Sequence, residues 1–167
     1  MIEYRIATSE DIELMMSSRL EMLKVVNNLP KDHVYSDEIV KESRDYFLNG
    51  DQTTVLAMDD QDVIGCASIS YMRIMPTFSH PTGRRAHLMN VYTREPYRRQ
   101  GIARRMCEML IKDARDKGVT EISLDATTAG RPLYHSLGFI DSDECMVLNG
   151  PLTPSRGSKS RRGQTEW

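Results

Sequence analysis

The chain has 167 residues, 40% of them apolar and 28% charged. That length fits one domain able to bury a core, and the composition is that of an ordinary soluble globular protein. Its 22 basic and 24 acidic side chains nearly cancel to a net charge of −2, which excludes a broad basic surface for nucleic acid.

Three cysteines, Cys66, Cys107 and Cys145, lie far apart with no C-x-x-C pair and no metal-ligand spacing. Reduced thiols and no bound metal are therefore expected. The chain opens directly on a strand pattern, with no signal-peptide pattern and no membrane-length apolar run, so a cytoplasmic location away from the membrane is expected.

Ile2, Tyr4 and Ile6 alternate with Glu3 and Arg5, the mark of an opening strand. Thr8 and Ser9 are placed to cap a helix with Asp11 in its first turn, and Ile12, Met15 or Met16, Leu20, Leu23 and Val26 then share one face. Asn27-Asn28-Leu29-Pro30 ends that helix, and a second is predicted from Ser36 to Asn49-Gly50. Thr53 to Met58 and Val63 to Ile74 predict a hairpin around Asp59-Asp60-Gln61-Asp62, with Cys66 as a small core residue. Met75 to Arg85 predicts a loop carrying Phe78 and His80, either an acceptor-lining segment or a plain surface connection. His87 to Thr93 predicts a strand. Ile102, Ala103, Met106, Leu110, Ile111 and Ala114 then form a helical stripe that ends at Lys117-Gly118. Glu121 to Ala126 is the next strand, Gly130-Arg131-Pro132 opens a short helix stopped by Leu137-Gly138, and 139–141 and 145–148 read as short final strands. Hairpin-paired strands followed by a crossover helix imply an α/β (α+β) fold with a mixed sheet covered by helices.

The chemistry concentrates between the strand at His87 to Thr93 and the helix from Ile102. The first N–H groups of a helix lack intrahelical partners, and the macrodipole places partial positive charge there. Gly101 removes the Cβ that would keep an anion from the backbone, and Ala103 keeps the next position small. Arg98, Arg99, Arg104 and Arg105 add guanidinium groups suited to phosphate. The loop lacks the partner glycines of G-x-G-x-x-G and the Walker A pattern.

Arg98-x-x-Gly101-x-Ala103 resembles the Q/R-x-x-G-x-G/A signature of the GNAT superfamily, the Gcn5-related N-acetyltransferases. Leu133-Tyr134-His135-Ser136-Leu137-Gly138-Phe139 resembles the LYxxLGF segment of the same family, and the likeness spans residues 1–149. It implies a sheet of about six to seven strands flanked by about four helices. It also implies acetyl-CoA as co-substrate, with the pyrophosphate held by Arg98, Arg99, Gln100, Gly101, Ile102, Ala103 and Arg104. The pantetheine arm would then pair with backbone groups of Val91, Tyr92 and Thr93.

The resemblance assigns the Val91 N–H to polarise the thioester carbonyl and Tyr134 to protonate the leaving thiolate. A Tyr packed at a helix start is the plainer reading of Tyr134. In the histone-acetylating branch a Glu stands fourteen residues before the motif Gly; here His87 occupies that position and is a candidate base. Glu21, His33, His80 and a water chain held by Asn90 are the alternatives, with Asn90 expected to face away from His87 because strand side chains alternate. Many members carry Asn seven residues before the motif Tyr, where this chain has Thr127. Its hydroxyl, or the helix start at Gly130, would take over that cofactor contact.

The resemblance implies an N-acetyltransferase acting by direct attack of a primary amine, on a small molecule or a protein amino group. An acyl-CoA-binding or regulatory module with little turnover is the other reading. Glu13, Glu21, Asp37, Glu38 and Asp45 would form an acidic wall favouring a cationic acceptor. Residues 150–167 read as a basic tail, with 151–167 at +3 against −5 for the remainder. Its composition is that of a flexible tail; an ordered tail would dock on the acidic remainder or on a second subunit, a homodimer being left open.

Overall fold

Five strands and three helices belong to one unit, Met1–Asp125, of the computed structural model, which describes residues 1–150 and Leu152. In chain order they are β1 (Glu3–Ile6), α1 (Ile12–Val26), α2 (Asp37–Asn49), β2 (Gln52–Asp59), β3 (Asp62–Arg73), β4 (Arg84–Thr93), α3 (Ile102–Asp116) and β5 (Glu121–Leu124). A second unit begins at Ala126 and contains α4 (Arg131–Ser136). No helix among the described residues is long and apolar enough to cross a membrane.

The sheet order is β1-β2-β3-β4-β5. The first three pairings are antiparallel, and β4 with β5 is parallel, which requires the crossover that α3 provides. β2 and the first half of β3 are buried on both faces, because helices cover each side. On one face Met15, Met16, Met22, Leu23 and Phe47 pack on Leu56, Met58, Cys66 and Tyr92. On the other, Ile102, Met106, Cys107, Leu110 and Ala114 of α3 are buried. A Cβ at Gly65 would lie 2.9 Å from the Tyr92 carbonyl oxygen and 3.1 Å from Met106 Cε, so the missing side chain is what lets α3 lie close on β3 and β4.

The second helix starts where expected, and the Ser36 hydroxyl caps it by accepting from the Ile39 N–H at 3.3 Å. β4 begins at Arg84, three residues earlier than the pattern predicts, and pairs with β3 down to Arg73–Arg84. The predicted loop is therefore the tip of a long hairpin.

Among the described residues the sheet has five strands rather than six to seven. Neither 139–141 nor 145–148 forms a strand. Two short runs separated by Ser142-Asp143-Glu144 have little ladder to gain, and Asp141 is drawn instead to α4, as the ion-pair partner of Arg131 and, at 3.3 Å, of His135 Nε2. The tail expected over 150–167 lies, apart from Gly150 and Leu152, outside the described residues.

α1 is entered through a charged clasp. Arg5 donates two hydrogen bonds to the Asp11 carboxylate, at 2.6 and 2.7 Å, and the Thr8 N–H donates a third at 2.9 Å. The Arg5 bonds, opposed by burial and helped by Thr8, hold the Asp11 carboxyl down at about 2. Its unfolded value is about 3.9, so the clasp stabilises the fold above that pH and is lost as pH falls through about 2. At neutral pH, urea unfolding of Asp11→Asn should show a loss of about 1–2 kcal/mol. The gap from the parent should close as the pH approaches about 2.

Candidate functional site

The loop from β4 to α3 turns into the helix at Gly101. Gly101 stands at the N-terminus of α3 with φ 80°, a left-handed conformation, and a Cβ placed there would meet nothing within 4 Å. Among the described residues no protein acceptor meets the N–H groups of Gly101, Ile102 or Ala103; the first helical bond of the turn runs from Arg105 N–H to the Gly101 carbonyl at 3.0 Å. Arg99 is also left-handed, at φ 64°, and Arg98, Arg99 and Gln100 are exposed. The loop is pinned from behind. Arg98 Nε donates to the Thr93 carbonyl at 3.0 Å, Gln100 to the Pro96 carbonyl at 3.2 Å, and the Tyr97 hydroxyl to Asp59 at 3.0 Å. Arg104 lies 3.8 Å from Glu108 on the first turns of α3.

β4 parts from β5 beside this loop. The parallel register covers Arg85 to Leu88 only, while β4 continues to Thr93. Against β3 the register jumps from Ser68–Met89 to Cys66–Tyr92, so β4 carries one extra residue, a bulge at Asn90 and Val91. Asn90 takes φ 57°, which Asn tolerates better than most residues. Val91 thus has no in-register partner on either neighbouring strand.

The bulge also resets side-chain alternation. Asn90 Nδ2 donates to the Ser68 hydroxyl at 3.2 Å, and Ser68 shares its face with Ser70, the cross-strand partner of His87. Asn90 and His87 therefore lie on the same face, contrary to simple alternation. A groove of about 210 Å³ opens on this face, lined by Arg19, Glu42, Ser43, Tyr46, Phe47, Met89 and Asn90. Arg19 donates to Asn90 Oδ1 at 3.3 Å, and the hydroxyls of Tyr46 and Ser70 are 2.6 Å apart.

None of the five carboxylates expected to form an acidic wall lines this groove. Glu13 pairs with Arg44 at 2.6 Å, and Asp45 accepts from Asn49 at 2.7 Å. Glu42 is the carboxylate at the groove; it shares a helical pattern with Asp37, Glu38 and Asp45, and only the packing of α2 distinguishes it. Phe78 is fully exposed, and His80 bonds Thr120 at 2.9 Å near the start of β4, the end away from the anion loop. Neither lines the groove. Burial pushes the Cys66 thiol up to about 11 and the Cys107 thiol up to about 12, as for inert core cysteines.

His87 is held at both ring nitrogens. Nδ1 lies 2.9 Å from the Ser123 hydroxyl, its parallel-register neighbour, and Nε2 lies 3.4 Å from Asp125 Oδ2. Pattern reading missed Ser123 and Asp125, because it identifies β5 without its register against β4. In the second unit the Thr127 hydroxyl accepts from the Gly130 N–H at 3.1 Å and so serves the start of α4. Gly130 leaves room for the Tyr134 ring, which a Cβ there would meet at 3.0 Å; the ring stacks edge-on against Phe139 at 6.1 Å between centroids.

The family model for the acetyltransferase (GNAT) family matches residues 20–139. A predicted acetyltransferase from Clostridium acetobutylicum, crystallised with acetyl-CoA, is 30% identical, with 89% of this chain and 96% of that one covered at a TM-score of 0.78. The chain belongs to the GNAT family of acetyltransferases. The same fold is shared at lower identity by the aminoglycoside N-acetyltransferase AAC(6')-Iy in complex with a CoA bisubstrate analogue (17%, 90% and 99% covered, TM-score 0.70). It is shared too by glucosamine-6-phosphate N-acetyltransferase from Arabidopsis thaliana (14%, 92% and 99%, TM-score 0.63). A search of curated protein sequences finds no match.

Glu21 does not have the environment of a base. Arg94 donates to both its oxygens, at 2.7 to 3.1 Å, and the Tyr92 hydroxyl donates at 3.0 Å. Arg94 holds the Glu21 carboxyl below its ordinary value against the opposing effect of burial. Glu21→Gln should lower stability by about 1–2 kcal/mol in chemical unfolding while the pH profile of acetyl transfer keeps its shape. A displaced profile would restore Glu21 as the base.

Proposed function

We propose that the protein transfers an acetyl group from acetyl-CoA to a primary amine by direct attack. The observation that supports this most is the trio of unmet N–H groups at Gly101, Ile102 and Ala103, opening where nothing occupies the space above Gly101. A pyrophosphate there is a bidentate match for amides and guanidinium groups together. Arg98, Arg99, Gln100 and Arg104 contribute the charge and the rim. From that anchor the pantetheine arm runs along the β4 edge released by β5, against backbone groups of Val91, Tyr92 and Thr93. The Val91 N–H, in the bulge, is the donor for the thioester oxygen.

The acceptor amine enters from the groove on the α1/α2 face, where Glu42 attracts a cation. Its lone pair attacks the carbonyl carbon, the C–S bond breaks, and the thiolate takes a proton. The resemblance assigns that proton to Tyr134, and Thr127 and Gly130 support the helix that carries it. His87 is the base that receives the amine's proton. Both small amines and protein amino groups fit this chemistry. Holding both reactants contributes on the order of 7–11 kcal/mol, more than acid–base groups of ordinary strength supply.

Gly101→Glu should abolish CoA binding in calorimetry while costing only about 1 kcal/mol of stability. CoA binding equal to the parent's would refute the phosphate assignment. Acetyl-CoA consumption with a panel of amines separates turnover from mere binding, and CoA bound without turnover on any amine would favour a regulatory module. Tyr134→Phe should lower kcat by about tenfold or more with KM for acetyl-CoA nearly unchanged.

A further inference from the structure

Both ring nitrogens of His87 face a polar neighbour. Nε2 faces the Asp125 carboxylate at 3.4 Å, and Nδ1 faces the Ser123 hydroxyl at 2.9 Å. The negative charge of Asp125 beside Nε2 favours the neutral tautomer that carries its proton there, which leaves the Nδ1 lone pair to accept from Ser123. Ser123 is exposed, while His87 is partly covered. On the same face Ser70 stands opposite His87 across β3, and Ser70 Oγ contacts both Tyr46 and Met89, two residues that line the groove. The three groups thus form a row along the β4/β5 seam, next to the groove, just before the two strands part.

We propose that Ser123, His87 and Asp125 form a proton relay, in which Ser123 rather than His87 meets the acceptor amine. The inference rests on the acetyl-transfer reading above. An ammonium group of the acceptor gives its proton to Ser123 Oγ as the Ser123 proton moves to His87 Nδ1. The neutral amine then attacks the thioester. Asp125 is a positioning residue: it fixes the tautomer and balances the imidazolium. Once the product has left, the Nδ1 proton returns through the exposed Ser123 hydroxyl to water, which restores the Nε2–H ring. No further reactant is needed, and each proton taken from the amine leaves to solvent.

The test is kcat/KM on acceptors ranging from weakly basic alkoxyamines and hydrazides to strongly basic alkylamines, all measured at neutral pH. Only the strongly basic acceptors arrive protonated and need the relay. Ser123→Ala and His87→Gln should both slow alkylamines by about tenfold or more and leave weakly basic acceptors within about threefold of the parent. Ser123→Thr, which keeps the hydroxyl, should restore the alkylamine rate. In parallel, nitrogen-15 NMR of the imidazole should find the Nε2–H tautomer in the parent and a mixture in Asp125→Asn. Equal losses on all amines, no loss in Ser123→Ala, or an Nδ1–H parent ring would each overturn the relay while leaving acetyl transfer intact. A parent that acetylates no amine would sink the functional reading, and the relay with it.

Discussion

Strand β4 cannot stay paired along its whole length with both neighbours, and the site depends on where it lets go. β5 keeps register through Leu88 and then departs. Immediately afterwards the bulge at Asn90 and Val91 lifts β4 out of step with β3. A backbone group that leaves its ladder in a folded interior must find another partner. Here the released stretch leads straight into the turn at Gly101, where the helix amides are also open. The strand edge that β5 leaves and the open amides of the Gly101 turn therefore follow one another along a single path. That continuity suits an elongated ligand with an anionic end and an amide-bearing arm.

The bulge is itself held by side chains. Asn90 is buried, bonded to Ser68 on one side and Arg19 on the other, and the Thr54 hydroxyl lies 2.7 Å from that of Ser68. This polar row crosses an otherwise apolar layer of methionines and Phe47. Fully partnered, such a row specifies one arrangement of the strands, whereas an apolar replacement would favour the regular ladder. The cost of burying polar atoms is thus tied to keeping β4 out of register at one chosen place.

Much of this was legible in the residue order. The alternation of Ile2, Tyr4 and Ile6, the turn at Asp59 to Asp62, the stripe from Ile102 to Ala114 and the Gly101 loop are local signals, and each element appears within a few residues of its expected place. What stayed hidden depends on register and packing. No pattern reveals that Ser123 stands beside His87, because parallel pairing joins residues 36 positions apart. Simple alternation misplaced Asn90, since one inserted residue inverts every later side chain. Glu21 and Glu42 look equivalent as helical carboxylates; Arg94 neutralises one and the groove receives the other. The strands expected near Phe139 and Cys145 had the composition for pairing but no ladder to join, and the 1–149 and 150–167 division stands as a reading of composition.

The bond from the Tyr97 hydroxyl to Asp59 ties the anion loop to the far corner of the β2–β3 hairpin, and the Arg94 N–H bonded to the Ile64 carbonyl at 2.8 Å adds a second stitch. A loop already latched in this way surrenders little disorder when a guest arrives, so more of the contact energy survives as grip. The same latch makes a distant corner answerable for ligand hold. Sequence drift at Asp59 would loosen the loop and be felt as weaker retention of the guest.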